Sequence, residues 1–349
     1  MKAYCGIDLA DKKSAVCIVD AAGERCLERT VRTEEGALRR LLEDAGRRWG
    51  RMRVVVEASP LAEWAACVVE DSGHEVEVID ARAARGVVRT KKKTDARDAY
   101  TLAQLVRGGW YRRVHRKSAE SRVVRSVLRG REALVRAYRS VGSTIRGLLK
   151  AHGIRLGKVS RGRFAERVRE VVEREVPELA GVMEGLLAVW TEAVACAEAV
   201  EREVALRTGE DEVCRRLRTV PGVGVLVSAA FRATVDDPHR FRRGEEVADY
   251  LGLTPRVYQS GQTRYRGRIS KEGDGLMRWL LVEAATVLLT RGRDCALKRW
   301  GRALAERKGK AKARVAVARK LAVLLWRLWV REEEFRPWPR GGEEMAAVA

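Results

Sequence analysis

The chain has 349 residues, of which 46% are hydrophobic, so it is long enough for two domains and too apolar to remain disordered. Lysine and arginine number 70 against 48 acidic residues, and the net charge of +22 favours a polyanionic partner such as DNA or RNA. The seven cysteines are scattered, odd in number and without a CxxC pair. This distribution argues against a disulfide framework or a zinc site and is typical of a reducing cytosol.

Neither a signal peptide nor a membrane span is expected. Asp8 and Asp11 interrupt the opening apolar segment, which a signal peptide would keep uncharged. The most apolar stretches near the C-terminus each contain a charged residue, namely Arg278, Glu283 or Arg327. We therefore expect a cytoplasmic protein that does not contact a membrane.

The positive charge is concentrated in the middle of the chain. Residues 82–163 contain 24 basic and 4 acidic residues. A solvated basic surface has the same composition, but charges at this density repel one another unless an anion lies against them. We interpret the segment as part of a nucleic-acid contact surface.

The first 110 residues have an order of elements that predicts an α/β domain. Short apolar or alternating segments predict five strands, at residues 4–9, 14–19, 26–31, 53–57 and 75–79. Helical spacing predicts helices between the later strands, at residues 34–49 and 61–69. Three hairpin-like strands followed by alternating helices and strands match an RNase H-like fold, and other α/β domains have similar orders.

Two long helical segments follow this domain. Residues 118–152 have apolar positions at helical spacing with arginines on the other faces, and residues 164–206 repeat the pattern with an interruption at Pro177. The pattern predicts a helical hairpin or coiled-coil arm, and a simple helical bundle would show the same spacing.

A short glycine-containing turn comes next, in a C-terminal domain that we expect to be mostly α-helical. Val220-Pro221-Gly222-Val223-Gly224 lies between two helical patterns. Gly222 and Gly224 would let backbone N–H groups approach a phosphate closely. The segment therefore predicts a helix-hairpin-helix that holds a DNA backbone, although a plain turn has the same letters.

Four acidic residues are placed where they could share metal ions. Asp8 ends the first strand and Glu57 ends the central apolar strand, and these strands are neighbours in an RNase H-like sheet. Asp95 and Asp98 are three residues apart in a predicted helix, so they face the same side. Clustered carboxylates repel one another unless cations neutralise them, and their hard oxygen atoms favour Mg²⁺ or Mn²⁺.

Each acid also has an ordinary interpretation. Asp8 could cap a turn, with Asp11 as a rival for its role, and Glu57 could pair with an arginine. Two features favour the metal site. Glu57 follows three buried valines, and Asp95 and Asp98 are the only acids in an otherwise basic stretch.

The segments that contain these acids resemble the four-acid signature of the DEDD transposases of insertion sequences, which are relatives of the Piv DNA invertase. The matching segments are Gly6-Ile7-Asp8, Val56-Glu57-Ala58 and Lys93-Thr94-Asp95-Ala96-Arg97-Asp98-Ala99. Further matching segments lie at residues 217–224, 248–255, 259–261 and 267–273, so the resemblance covers about residues 4–108 and 215–325. It implies a RuvC-type nuclease domain whose catalytic metal ligands are Asp8, Glu57, Asp95 and Asp98.

The same resemblance implies a serine nucleophile at Ser260, which precedes Gly261. A serine beside a glycine can expose its hydroxyl, and the arginines that follow could hold a phosphate. Chemistry alone does not choose between Ser260 and Ser270. A serine before a glycine is also a common turn residue.

The resemblance further implies the partners of the protein. These are donor and target DNA, a structured guide RNA encoded by the element, and further copies of the chain in a dimer or tetramer. The RuvC-like and serine-bearing parts of different subunits would then form composite sites. The expected location is the cytosol or nucleoid of a bacterium or archaeon.

We expect four segments in the chain. They are a RuvC-like catalytic domain at residues 1–110, a basic helical or coiled-coil arm at 111–212, a serine-bearing domain with the helix-hairpin-helix at 213–335, and a tail at 336–349. Basic side chains and turn glycines are predicted to contact nucleic acid. They are Lys91, Lys92, Lys93, Arg112, Arg113, Arg116, Lys117, Gly222, Gly224, Arg264, Arg266 and Arg268.

These observations predict a transposase or site-specific recombinase that cuts and rejoins DNA. Two alternatives stay open at this point. One is a RuvC-type structure-specific nuclease that hydrolyses DNA with water. The other is a nucleic-acid-binding protein that kept the fold without catalysis.

Overall fold

A computed structural model describes residues 2–80, 94–260 and 263–338, and for residues 257–260 and 263–266 it describes the backbone. The chain divides into two compact units, with the boundary between Arg116 and Lys117. Each unit is described separately below.

The first unit is built on a five-stranded mixed sheet. Its strands are β1 (Tyr4–Asp8), β2 (Lys13–Val19), β3 (Arg25–Arg32), β4 (Arg53–Glu57) and β5 (Glu75–Ile79). Their order in the sheet is β3-β2-β1-β4-β5, with β2 antiparallel to both β1 and β3, and β4 parallel to both β1 and β5. The short connections of the first three strands allow hairpins, whereas parallel strands need a crossover through a helix.

Three helices cover the two faces of this sheet. They are α1 (Glu35–Trp49), α2 (Ala62–Asp71) and α3 (Asp95–Gly108). Val54 and Val56 of β4 pack under α1 and α2, while Val55 packs against α3. Alternate residues of a strand point to opposite faces, so a strand covered on both faces is apolar throughout. The predicted elements of this unit are confirmed, with ends shifted by at most two residues.

The second unit is mostly helical and contains a two-stranded ribbon. Its helices are α4 (Ala119–Ala151), α5 (Phe164–Glu175), α6 (Ala180–Arg207), α7 (Glu212–Leu217), α8 (Val225–Val235), α9 (Gly244–Tyr250), α10 (Gly275–Thr290), α11 (Ala296–Lys308) and α12 (Lys310–Val330). Its antiparallel strands are β6 (Pro255–Ser260) and β7 (Thr263–Ile269). The long helix at residues 118–152 and the interruption at Pro177 are both confirmed.

Two apolar cores hold the second unit together. The larger core contains Leu128 of α4 together with Phe231 of α8 and Leu321 of α12. The smaller core contains Ile145 and Leu187, which belong to α4 and α6. Because α4 contributes to both cores, it is an integral part of this unit.

Among the described residues, one segment of 31 residues, Pro177–Arg207, has the length of a membrane span, and its most apolar 18-residue window has a mean hydropathy of 1.5. It includes α6, whose buried residues Met183, Leu187 and Trp190 pack in the smaller core. Only 22% of the apolar window is buried, so this packing accounts for part of its apolar character.

Candidate active site

Asp8 and Glu57 end two neighbouring parallel strands of the sheet. The register that pairs Ile7 with Val56 places the two acids level with each other. Ile7 and Val56 point into the core under α1 and α2. Because side chains alternate along a strand, Asp8 and Glu57 both project from the opposite face, which α3 covers.

The direction of α3 places its first turn at the same edge. Gln104 Nε2 donates a 2.7 Å hydrogen bond to the Gly23 carbonyl, and Arg107 Nη1 donates to the Ala21 carbonyl. Both carbonyls lie just beyond the end of β2, where Val19 pairs with Tyr4 at the start of β1. The C-terminal end of α3 is therefore near the start of β1, and its N-terminal end is near the Asp8 edge.

Asp95 and Asp98 occupy this first turn. They precede the buried Ala99 and Leu102 by four residues each, so both acids continue the stripe of α3 that faces the sheet. Acids here also favour the helix because they lie at the positive end of its dipole. Thr94 has the extended backbone of an N-cap residue, but its side chain makes no capping hydrogen bond.

The donor chemistry of this edge fits a hard divalent cation. Asp8 and Glu57 end β1 and β4, and Asp95 and Asp98 lie in the first turn of α3. Their carboxylate oxygens are ligands that Mg²⁺ and Mn²⁺ prefer. In the part of the chain that the structure describes, no group of three or more His, Cys, Asp or Glu side chains is arranged to hold a metal ion. These acids therefore fit a metal ion by the type of their ligand atoms and by their positions on the strands and the helix.

The two candidate serines differ in their local setting. Ser260 is the last residue of β6 and pairs in register with Thr263 of β7. Ser270 follows β7, where its N–H donates to the Thr254 carbonyl and its Oγ accepts from the Glu272 N–H. Ser270 thus has a structural role in the turn.

The predicted arginines of the ribbon lie on β7. Arg264 and Arg266 are strand residues, and Arg268 is exposed. Arg256 at the start of β6 donates to the Ser270 carbonyl at 3.1 Å. Lys91, Lys92 and Lys93 lie outside the described residues.

Two predicted contact residues at the end of the first unit form ion pairs within it. Arg116 donates to Glu63 Oε1 at 2.9 Å and to Glu70 Oε2 at 3.0 Å, and these hydrogen bonds raise the pKa of Arg116. Arg113 Nη2 pairs with Glu77 at 2.8 Å, although most of the Arg113 side chain is exposed. Arg112 is exposed and has no acidic partner among the described residues.

Lys117, at the start of the second unit, is also engaged within the protein. Its Nζ donates to the Thr234 carbonyl at 2.6 Å and to the Tyr250 hydroxyl at 3.3 Å. Burial lowers the pKa of Lys117. Burial raises the pKa of Tyr250, but Lys117 and Arg240 lower it further, so the net pKa lies below the ordinary value of tyrosine. These contacts give Lys117 a structural role in addition to any contact with nucleic acid.

The predicted helix-hairpin-helix consists of α7, a turn at Gly222 and α8. Gly222 has a φ of +90°, and a Cβ atom there would lie 2.4 Å from the Ala284 carbonyl oxygen of α10. Its lack of a side chain is therefore required for packing as well as for the turn. Gly224 is exposed, and a Cβ atom there would meet nothing within 4 Å, so its surroundings leave room for a ligand.

Asp274 is a structurally important acid that the sequence reasoning missed. Its carboxylate accepts from the Leu276 and Met277 N–H groups at the start of α10 and pairs with Arg125 at 2.7 Å and Arg129 at 3.1 Å. The Asp-Gly dipeptide before an apolar helical run is an N-cap signal. The ion pairs of Asp274 with α4 could not be predicted in this way, because α4 is far away in the sequence.

Comparisons with known proteins agree with this organisation. Residues 5–154 match a family of DEDD transposases of the IS110 type, and residues 214–300 match the transposase IS116/IS110/IS902 family. The two matched segments lie largely in the first and second units.

Curated relatives cover most of the chain. The transposase for insertion sequence element IS1111A of Coxiella burnetii is 32% identical over 250 residues, which is 70% of this chain and 68% of the relative. A probable family 20 transposase of Pseudomonas aeruginosa is 32% identical over 81% of this chain and 86% of its own length. A putative transposase of Sinorhizobium fredii is 29% identical over 81% of this chain and 74% of its own length.

The α/β sheet with its acidic edge and these matches define an insertion-sequence transposase. The chain belongs to the IS116/IS110/IS902 family of transposases, as the resemblance of its acidic and C-terminal motifs implied.

Proposed function

We propose that this transposase cuts and rejoins DNA with a metal-bound acidic site and a serine nucleophile. The observation that supports the proposal is that Asp8 and Glu57 end neighbouring parallel strands, while Asp95 and Asp98 lie in the first turn of the helix that covers the same face. Acids brought together at this edge would repel one another, so the arrangement favours a bound cation.

The first unit is proposed to be an RNase H-like domain of the RuvC type. The order β3-β2-β1-β4-β5, with three antiparallel strands followed by parallel ones, supports this assignment. Since many activities occur on one fold, the acidic edge rather than the topology supports the catalytic function.

In the proposed reaction, Ser260 Oγ attacks a phosphorus atom of a DNA strand. A bond forms between Oγ and phosphorus, the serine proton is lost, and the bond from phosphorus to a deoxyribose oxygen breaks. That oxygen takes up a proton and leaves as a hydroxyl group. The phosphoserine link conserves the phosphodiester bond, so the reverse attack by a DNA hydroxyl group joins strands without ATP.

The acids and arginines have separate tasks in this scheme. Asp8, Glu57, Asp95 and Asp98 would hold Mg²⁺ or Mn²⁺, which when bound polarises the phosphate and stabilises a leaving oxygen. Arg264, Arg266 and Arg268, which follow Ser260 on β7, would neutralise the charge that develops on the phosphate. Donor and target DNA, a structured guide RNA and a homo-oligomer belong to the proposal through the family resemblance.

The decisive experiment compares cleavage by the wild type with that of Asp8→Asn and Glu57→Gln in the presence of Mg²⁺. We expect both variants to lose cleavage by a factor of 100 or more, about 3 kcal/mol of transition-state stabilisation, while binding of DNA remains. Full cleavage by both variants would reject the acidic site. An inactive wild type that still binds nucleic acid would favour the non-catalytic alternative.

A further inference from the structure

We infer that the turn between α11 and α12 is a binding surface for the phosphate backbone of duplex DNA. This inference rests on the proposed function, in which the chain acts on DNA. The basic turn, as we name this surface, contains six basic residues and one acid within residues 302–314. Its basic members are Arg302, Arg307, Lys308, Lys310, Lys312 and Arg314.

All six side chains are available to a ligand. Each residue is exposed, and none of the six forms an ion pair with any residue that the structure describes. Arg302 and Arg307 each donate one hydrogen bond to a helix carbonyl, which leaves the remaining guanidinium donors free to bind other groups. The basic turn therefore presents six uncompensated charges to solvent.

The exposed arginines near α5 differ from the basic turn, because they are compensated. On and just before α5, Arg163 pairs with Glu166, Arg167 with Glu170, Arg169 with Glu184 and Arg174 with Glu175. The basic turn differs from this segment because its six neighbouring basic residues are all without an ion pair among the described residues.

Helix stability explains only part of this charge. Arg307 and Lys308 lie in the last turn of α11, where the helix dipole favours cations. Lys310 and Lys312 lie in the first turn of α12, where the dipole disfavours them, and that turn contains no acid. Two lysines at this position destabilise the free protein, and a bound anion would remove the cost.

The helices on both sides of the basic turn are packed closely against their neighbours. Gly301 of α11 is buried against α12, and a Cβ atom there would lie 2.7 Å from Val317 Cγ2 and from Leu289 Cδ2. Ala313 and Val317 of α12 are buried beneath the surface. Lys310 and Arg314 are separated by one helical turn, about 6 Å along the axis, so they can contact neighbouring phosphates.

The composition of the basic turn favours a duplex over a single strand. Residues 302–314 contain no aromatic side chain on which bases could stack, and stacking is typical of single-strand binding. They also contain no Asn or Gln, the side chains that typically read adenine. We expect contacts mainly with phosphates, which position the protein on the duplex.

The test replaces Arg307, Lys308, Lys310 and Lys312 with glutamine and measures binding to a 30-base-pair DNA duplex by fluorescence anisotropy over a range of salt concentrations. The matched control replaces the ion-paired Arg163, Arg167, Arg169 and Arg174 with glutamine, which removes the same four charges. We expect the basic-turn variant to flatten the slope of log K against log salt by about 2–4, since each phosphate contact contributes about 0.9. The control should keep the wild-type slope.

Equal slopes for the basic-turn variant and the wild type would overturn the inference, as would equal flattening in both variants, which would indicate net charge alone. Circular dichroism should show that both variants stay folded, with the basic-turn variant at least as stable as the wild type. A greater loss of binding to an RNA duplex of the same sequence than to DNA would also reject the assignment to DNA. None of these results depends on Asp8 or Ser260, so cleavage and covalent-adduct assays on variants of those residues test the proposed function separately.

Discussion

Gly6 of β1 lies directly against the backbone of α3 at Ala99. A Cβ atom on Gly6 would stand 2.2 Å from the Ala99 carbonyl oxygen and 2.4 Å from the Ala103 amide nitrogen. Backbone atoms cannot rotate aside as the end of a long side chain can, so a larger residue would displace α3 as a whole. The same contact therefore sets the position of the acids in the first turn of α3 relative to Asp8.

We expect Gly6→Ala to lower the free energy of unfolding by about 3 kcal/mol, the upper part of the range for overpacked cores. Cleavage should fall further than the folded fraction does, because the displaced α3 moves Asp95 and Asp98. Urea unfolding and cleavage rates measure the two effects. Gly36→Ala in α1 is the control, since its Cβ would meet only the flexible end of Arg40 at 3.5 Å. Equal stability of the two variants would contradict the tight contact.

Gly222 and Gly224 should respond differently to the same substitution. Gly222→Ala introduces a Cβ atom 2.4 Å from the Ala284 carbonyl at a φ of +90°, so the melting temperature should drop by several degrees. Gly224→Ala introduces one into open space and should leave stability within about 1 kcal/mol of the wild type. If the turn also binds phosphates, Gly224→Ala should weaken DNA binding while the protein remains folded. Unaltered DNA binding would show that the turn serves only to pack the helices.

Asp274 should make stability depend on acid pH. Burial raises the pKa of this carboxyl, but Arg125 and the Met277 amide lower it further, so the folded pKa is below its unfolded value of about 3.9. The stabilisation is present above the unfolded pKa and is lost as pH falls through the folded pKa. Asp274→Asn, which keeps a capping side chain, should cost about 2 kcal/mol at pH 6 and progressively less below pH 4. A difference that stays constant with pH would rule out the ionic contribution.

Arg112 and Arg116 allow binding and structural roles to be separated within one short segment. Arg116→Gln removes a cation paired with Glu63 and Glu70, so it should destabilise the first unit by about 1–2 kcal/mol with little change in the salt dependence of DNA binding. Arg112→Gln should leave stability unchanged and flatten the salt slope by about 0.9. The opposite result, a flatter slope for Arg116→Gln, would place that side chain on DNA.

Ser260→Ala should abolish strand joining and the covalent protein–DNA adduct while leaving DNA binding nearly intact, since no charge is removed. Ser270→Ala should retain the adduct and lose only the local hydrogen bond to Glu272. Gel shift of protein linked to labelled DNA under denaturing conditions detects the adduct. An adduct in Ser260→Ala, or its loss in Ser270→Ala alone, would show that the nucleophile is assigned incorrectly. Cleavage that needs the acids but neither serine would favour a RuvC-type hydrolase.

Local sequence patterns were sufficient for much of this protein. The alternation and apolar runs around Val55 predicted the strands of the first unit, and the 3.6-residue spacing predicted α4 and the interruption at Pro177. Asp8 and Glu57 were identifiable because each closes an apolar strand. These features depend on interactions between near neighbours in the chain, which leave a periodic trace in the sequence.

Contacts between distant segments were decided only by the tertiary structure. Gly6 against Ala99, Gly222 against Ala284 and Arg125 with Asp274 join residues that are dozens of positions or more apart. Only the folded structure shows which basic side chains are already neutralised by an acid. Arg116 is paired with an acid, whereas the residues of the basic turn are not. Sequence composition counts every charge equally, but the field that a ligand experiences depends on which charges the folded chain has brought next to an opposite one.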